Sequence, residues 1–150
     1  MNSPAASALP DPVSQADFYA GVTFKRFFAW IFDVVVISVI TAICATLPFF
    51  IGWFFLPFIF TVVYFFYCWG WLSSASATPG QRLFNIEYRG NDGQHIGTTE
   101  ALMLTISYMV LALFMLPHII SIILILISGR GQGLHDLLAG AALMNRPSKY

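Results

Sequence analysis

Three long apolar runs, separated by polar connections, dominate the chain. Residues 27–50 make 24 positions with a single charge, Asp33; residues 53–72 make 20 with none; residues 101–128 make 28 with none, although Pro117 and His118 lie inside the run. A bilayer core is crossed by about 20 apolar helical residues. A soluble core helix of such length would carry a polar stripe, and these runs carry none. The pattern predicts an all-α integral membrane protein with three transmembrane helices, over about 27–50, 53–72 and 101–128. Almost no loop separates the first two, so they should form a tight antiparallel helical hairpin. Nine of the 15 residues from Trp53 to Tyr67 are aromatic, which suits a lipid-facing and interfacial helix better than a ligand-stacking surface.

The connections predict smaller elements. In residues 73–100, Thr78-Pro79-Gly80 signals a turn. Ile86 and Tyr88 then alternate with Glu87 and Arg89, Gly90-Asn91-Asp92-Gly93 follows, and Gln94-His95-Ile96 closes the segment. This reads as a small cytoplasmic β-hairpin between spans 2 and 3. Residues 137–144 are apolar but too few to span, and Leu134, Leu137, Leu138 and Ala141 fall at helical spacing, which predicts a C-terminal interfacial helix. Residues 1–17, with Pro4, Pro10 and Pro12 and few large apolar side chains, read as a disordered tail and not as a secretory signal; 147–150 form a second tail. The membrane domain is therefore expected over 18–146.

Charge decides how these elements sit. Only 14 residues are charged, seven of each sign, against roughly 38 expected in an average soluble chain of this length. That excludes a disordered chain and a nucleic-acid binder steered by net charge. Lys25, Arg26, Arg82 and Arg89 fall on one side of the first two spans, which makes that side, and the N-terminus, cytoplasmic. If the third run crosses once, Arg130, Arg146 and Lys149 lie outside. If it folds back at Pro117, all seven basic residues lie inside, but each half is short for a crossing. Geometry favours the single span; four membrane segments are the alternative.

Asp33 is the costly residue, roughly 9 Å into the first span at 1.5 Å per residue. Such a carboxylate faces a bundle interior and needs a partner. Arg26 lies on the same helix face, but its side chain leans away from Asp33, toward the N-terminus; an interfacial anchor that snorkels to the headgroups explains it equally well. Arg82, Arg130 and His135 are the candidate partners for Asp33, beside water or a bound cation. Asp136 can pair with Arg82 or Arg130. Cys44 and Cys68 lie in apolar runs and read as buried small side chains. No zinc spacing, nucleophile elbow or phosphate-cradling loop occurs, so no enzyme, metal or cofactor is expected.

Three motifs in order carry a resemblance. Arg26-Phe27-Phe28-Ala29 leads to Asp33; Thr78-Pro79-Gly80-Gln81-Arg82-Leu83 follows; Gly133-Leu134-His135-Asp136-Leu137-Leu138-Ala139-Gly140 carries the second aspartate. From about Phe18 to Met144 the chain resembles the RDD family of membrane proteins, named for one arginine and two aspartates. Gln81, where many relatives have lysine, and Ala141, often threonine, depart from its pattern. The resemblance implies a multi-pass protein of a prokaryotic cytoplasmic membrane with a transport role, monovalent cation/proton exchange having been claimed for some members. Two functions compete. In the first, Asp33 is a switching carboxylate in a homo-oligomeric exchanger of cations and protons. In the second, Arg26, Asp33, Arg82 and Asp136 form a static clamp in a structural or assembly partner of another membrane protein. A lipid-acting metalloenzyme would require Asp33 and Asp136 to converge on one cavity.

Overall fold

The computed structural model describes residues 8–147. The expected tail segments 1–7 and 148–150 lie outside the described residues. Helix α1 (Val22–Thr46) starts after Gly21, whose φ of 68° a residue with a Cβ would adopt only with strain. Its buried residues Ala29, Asp33, Ile37, Thr41 and Ala45 recur every fourth position and make one inward ridge. Pro48 follows the helix end, and a 3-10 turn (Ile51–Phe55) leads into α2 (Leu56–Ala75). The turn is tight because Gly52 has no side chain: a Cβ there would lie 2.6 Å from the Ala45 carbonyl oxygen. The helical stretches Ala16–Thr46 and Ile51–Ala75 are both long and apolar enough to cross a membrane, and they pack as the expected hairpin.

The third apolar run does not form one helix. Helix α4 (Thr98–Leu113) stops, Phe114 adopts an extended conformation, and α5 (Met115–Ile127) begins. Proline explains the position. The Pro117 ring would clash with the carbonyl four residues earlier, that of Leu113, and it offers no N–H. Within the first turn of a new helix that missing N–H has no intrahelical partner to lose. The chain then folds back. Tyr108 on α4 meets His118 on α5, ring centroids 5.7 Å apart, and Ser121 approaches His135 beside the same tyrosine. The single-span reading is thus replaced by a broken helical hairpin. Its far end returns to the start of α1, where the Gly131 carbonyl accepts from Arg26.

Two further expectations are corrected. Strand β1 (Ile86–Gly90) does not pair locally. It pairs antiparallel with β2 (Ala141–Asn145), Ile86 opposite Asn145 and Gly90 opposite Ala141. Only one bridge, Arg89 with His95, remains of the expected hairpin. A lone two-stranded hairpin is marginal; here the second strand comes from the chain's far end, and Ile86, Ala141, Ala142 and Leu143 are wholly buried. The expected C-terminal interfacial helix is accordingly shorter. Helix α6 (Leu134–Ala139) ends at Gly140 in the left-handed conformation, φ 64°, a usual helix stop. The remaining apolar residues form β2.

The residues preceding α1 are also ordered where they are described. Leu9 is buried against Ala142 and Met144, the Ala8 N–H donates to the Asn91 carbonyl, and the Tyr19 hydroxyl donates to the Pro10 carbonyl. Residues 8–17 thus cover the sheet and do not trail from it. Helix α3 (Pro79–Leu83), between α2 and β1, lies against α1.

Candidate functional site

The inward ridge of α1 meets two separate polar networks. The first forms around Arg26, one turn into α1. Its guanidinium grips Asp136 with both ends, Nη1 to Oδ2 at 2.6 Å and Nη2 to Oδ1 at 2.9 Å. Such bidentate geometry is the strong form of the pair. Asp136 is the third residue of α6, and its Oδ2 also accepts from the Gly133 N–H at 3.0 Å, capping the helix it belongs to. The Tyr88 hydroxyl, from β1, donates to Asp136 Oδ1 at 3.0 Å and accepts from Arg26 Nη2 at 3.0 Å. One ion pair therefore ties α1, the sheet and α6 together.

His135 completes this network as a neutral ring. Its Nε2 lies 2.7 Å from Arg26 Nη2, a group that can only donate, so Nε2 must accept. The proton then sits on Nδ1, which faces Ser121 Oγ at 3.2 Å, and that oxygen also accepts from the Leu134 N–H. The 3.1 Å approach of Nε2 to Asp136 Oδ1 is accordingly a crowded contact and not a salt bridge. Burial pushes His135 down to about 4, with Asp136 opposing and Arg26 reinforcing that shift. Burial alone would raise Asp136; the adjacent Arg26 guanidinium outweighs it and holds the carboxyl below its ordinary value. Burial also raises the Tyr88 phenol, which stays a donor.

The second network surrounds Asp33, seven residues further along α1. Its Oδ1 accepts from the Tyr67 hydroxyl and the Gly80 N–H, each at 2.8 Å, and its Oδ2 accepts a short bond from the Thr78 hydroxyl. All three donors are neutral. The Thr78-Pro79-Gly80-Gln81 motif builds this contact. Thr78 and Gln81 form a reciprocal capping box, Pro79 starts α3, and Gly80 lets the backbone touch α1. A Cβ on Gly80 would lie 2.3 Å from the Ala29 carbonyl oxygen and 2.9 Å from the Asp33 carboxyl carbon.

Of the sequence candidates, Arg26, His135 and Asp136 thus come together, and Asp33 stands in its own network. None of Arg82, Arg130 and His135 bonds to Asp33. Arg82 is exposed, its guanidinium 5.9 Å from the Trp71 ring centroid. Arg130 lies by Tyr19 and Asp11, with its Nε buried and without a partner among the described residues. Its pairing with Asp136, and that of Arg82, is replaced by Arg26, which turns inward and does not reach for the surface. Sequence reasoning missed Tyr88, Ser121, Thr78, Gly80 and Tyr67. The signal for two of them was the capping-box motif, read only as a turn. It also missed Glu87, buried in the sheet and bound by Arg89 and Arg146, Nε of each within 2.9 Å.

A cavity of about 100 Å³ lies between the two networks, its wall including Arg26, Asp33, Thr78, Tyr88, Tyr108 and His135. That is room for a few waters. The two aspartates do not converge on it as a ligand set, and among the described residues no group of three or more His, Cys, Asp or Glu could hold a metal.

The fold is that of a mostly helical protein with a two-stranded sheet, organised on one arginine and two aspartates. The chain belongs to the RDD family, whose model matches residues 19–140. Neither the curated proteins nor the solved structures compared with it gave a match.

Proposed function

We propose that this chain is a multi-pass protein of the cell membrane whose buried charges serve assembly: a structural partner for another membrane protein or for further copies of itself. The observation that carries this reading is the closed Arg26–Asp136 network. Each oxygen of Asp136 has donors from two groups, and His135 is neutral, so the network has no free charge to offer a substrate. The broad apolar exterior supports the membrane setting: Phe24, Phe54, Leu113 and Leu126 are among many large side chains turned outward. The broken hairpin supports a topology with both termini cytoplasmic. It brings Arg130 and Arg146 to the same end as Lys25, Arg26, Arg82 and Arg89, as the positive-inside tendency favours. We assign no catalytic reaction.

Monovalent cation/proton exchange is the second reading. The cavity beside Asp33 favours it, because that carboxylate has no cationic partner among the described residues. One experiment separates the two. Purified protein is reconstituted in liposomes with an internal pH-sensitive dye, and sodium or potassium gradients are applied to wild type and to a folded Asp33→Asn variant. The assembly reading expects no cation-driven proton flux in either. Flux in wild type that Asp33→Asn abolishes would overturn it and establish exchange.

A further inference from the structure

Helices α1 and α5 stand apart at the level of Arg26, leaving an open groove of about 490 Å³. Its walls are apolar and largely aromatic: Phe27 and Trp30, stacked on each other, and Ile122 and Ile125 opposite. Polar groups line it sparsely. Arg26, His135 and Ser121 are already committed to the ion-pair network. Thr23 and Tyr108 add hydroxyls, and His118, on the groove side of α5, adds a second imidazole. Its ring meets Tyr108 edge to face, and its nitrogens hydrogen-bond to no group among the described residues. The site therefore offers one uncommitted imidazole and two hydroxyls among flat aromatic faces.

We propose that this groove binds a neutral amphiphile with a planar, carbonyl-bearing ring and an apolar tail, the chemical class of prenylated quinones. Three features select that class. The free imidazole requires a hydrogen-bonding head. The aromatic lining suits a ring that stacks, with centroids some 4.5–7 Å apart. Depth excludes a charged head: His118 lies nine residues before the end of α5, roughly 14 Å along the helix at 1.5 Å per residue, where an ion without a counter-charge is costly. A partner helix does not fit, since a helix with its side chains is about 10–12 Å across and the groove walls span only about two turns. The depth argument rests on the membrane reading above; the binding test below does not, and it can fail while that reading stands.

Trp30 provides the probe, because a bound quinone ring quenches a neighbouring indole. Purified protein in detergent is titrated with a short-chain benzoquinone while tryptophan emission is followed. We expect saturable quenching in wild type that disappears in Trp30→Phe, whose remaining three tryptophans lie away from the groove. His118→Leu should weaken binding about tenfold, equivalent to about 1.4 kcal/mol. Ile122→Phe, at a half-exposed position that tolerates a larger side chain and adds no indole, should fill the groove and abolish saturation. Linear quenching shared by wild type and Trp30→Phe would overturn the proposal. So would saturation indifferent to both groove variants, or equal competition by a straight-chain fatty alcohol, which would mark an acyl-chain groove with no ring selectivity.

Discussion

Asp136 and Asp33 face the same problem and solve it differently. Both carboxylates are buried, at 0% and 7% exposure. Asp136 is matched by a cation held at both oxygens, with a phenol and a backbone N–H filling the remaining sites. Among the described residues Asp33 receives three neutral donors and no cation. The first arrangement is electrically closed, so removing either member strands a charge. The second needs an acceptor oxygen at the right place more than it needs a charge. The two aspartates are therefore not equivalent parts of one device. One fastens the C-terminal segment to α1, and the other seats the α2–β1 connection on it.

The largest expected effect tests the closed pair. Asp136→Asn leaves the Arg26 guanidinium buried without its counter-charge, and should destabilise by about 3–5 kcal/mol. Arg26→Gln should cost a similar amount. The double variant should cost clearly less than the two singles together, because the second change removes the charge stranded by the first. Thermal unfolding in detergent, followed by circular dichroism, measures all three. Simple additivity would mean that the two side chains are not coupled and would break the comparison at its stronger end.

The next effect is a pH dependence confined to the same network. His135 binds its proton only near pH 4 in the folded chain, but near its ordinary value of about 6.5 when unfolded. The unfolded state binds the proton first, so stability is complete above about pH 6.5 and falls as pH drops toward 4. The total loss is at most about 3 kcal/mol at 1.36 kcal/mol per pH unit. The lowered Asp136 carboxyl titrates below its ordinary value of 3.8, outside that window. His135→Gln should flatten the slope between pH 6.5 and 4, read as melting temperature against pH. A slope unchanged by that substitution would place the titrating group elsewhere.

What could be read from the chain follows from the range of each signal. Long apolar runs are local, so the α1–α2 hairpin was legible, and Pro117 marked a break whose physical cause lies within four residues of it. The fold-back was weighed against span length and set aside, although it gathers the basic residues at one end. The pairing of β1 was not legible. Its partner lies more than 50 residues on, in Ala-Ala-Leu-Met-Asn, a segment without a β-branched residue and continuous with a helical repeat. Gly140 was the sign that the helix stops there. At the site, Arg26, His135 and Asp136 were recognisable as costly or motif-bearing residues, but which cation meets which aspartate depends on contacts across some 110 positions. Neutral donors such as Tyr67 and Tyr88 carry no such mark, because a tyrosine among aromatics looks the same whether or not its hydroxyl is committed.

A smaller effect tests the seating of the connection on α1. Gly80→Ala introduces a Cβ where the nearest atom is a backbone carbonyl oxygen at 2.3 Å, which cannot rotate aside. Helix α3 must lift from α1 and stretch its bonds to Asp33, at a cost of about 1–3 kcal/mol, as for other overpacking changes. Gly70→Ala is the control, since a Cβ there meets nothing within 4 Å. Equal melting temperatures for the two variants would show that the Thr78–Gly80 contact on α1 does not contribute to stability.

The smallest effect sharpens the comparison most. Asp33→Asn keeps an oxygen that accepts from Tyr67 and Gly80 and places an amide nitrogen toward Thr78. The Thr78 hydroxyl can turn its lone pair to that nitrogen, because a hydroxyl both donates and accepts. No charge is stranded, since none was paired. The cost should be about 1 kcal/mol, the scale of one weakened hydrogen bond, against several for Asp136→Asn. A loss as large as that of Asp136→Asn would mean that the charge itself is structural at both positions, and the two networks would be one kind of clamp. A small loss makes Asp33→Asn a folded protein with an altered carboxylate, the variant that the flux measurement requires. In that protein, an unchanged absence of cation-driven proton movement leaves Asp33 a seating residue, and the division of labour between the two aspartates holds.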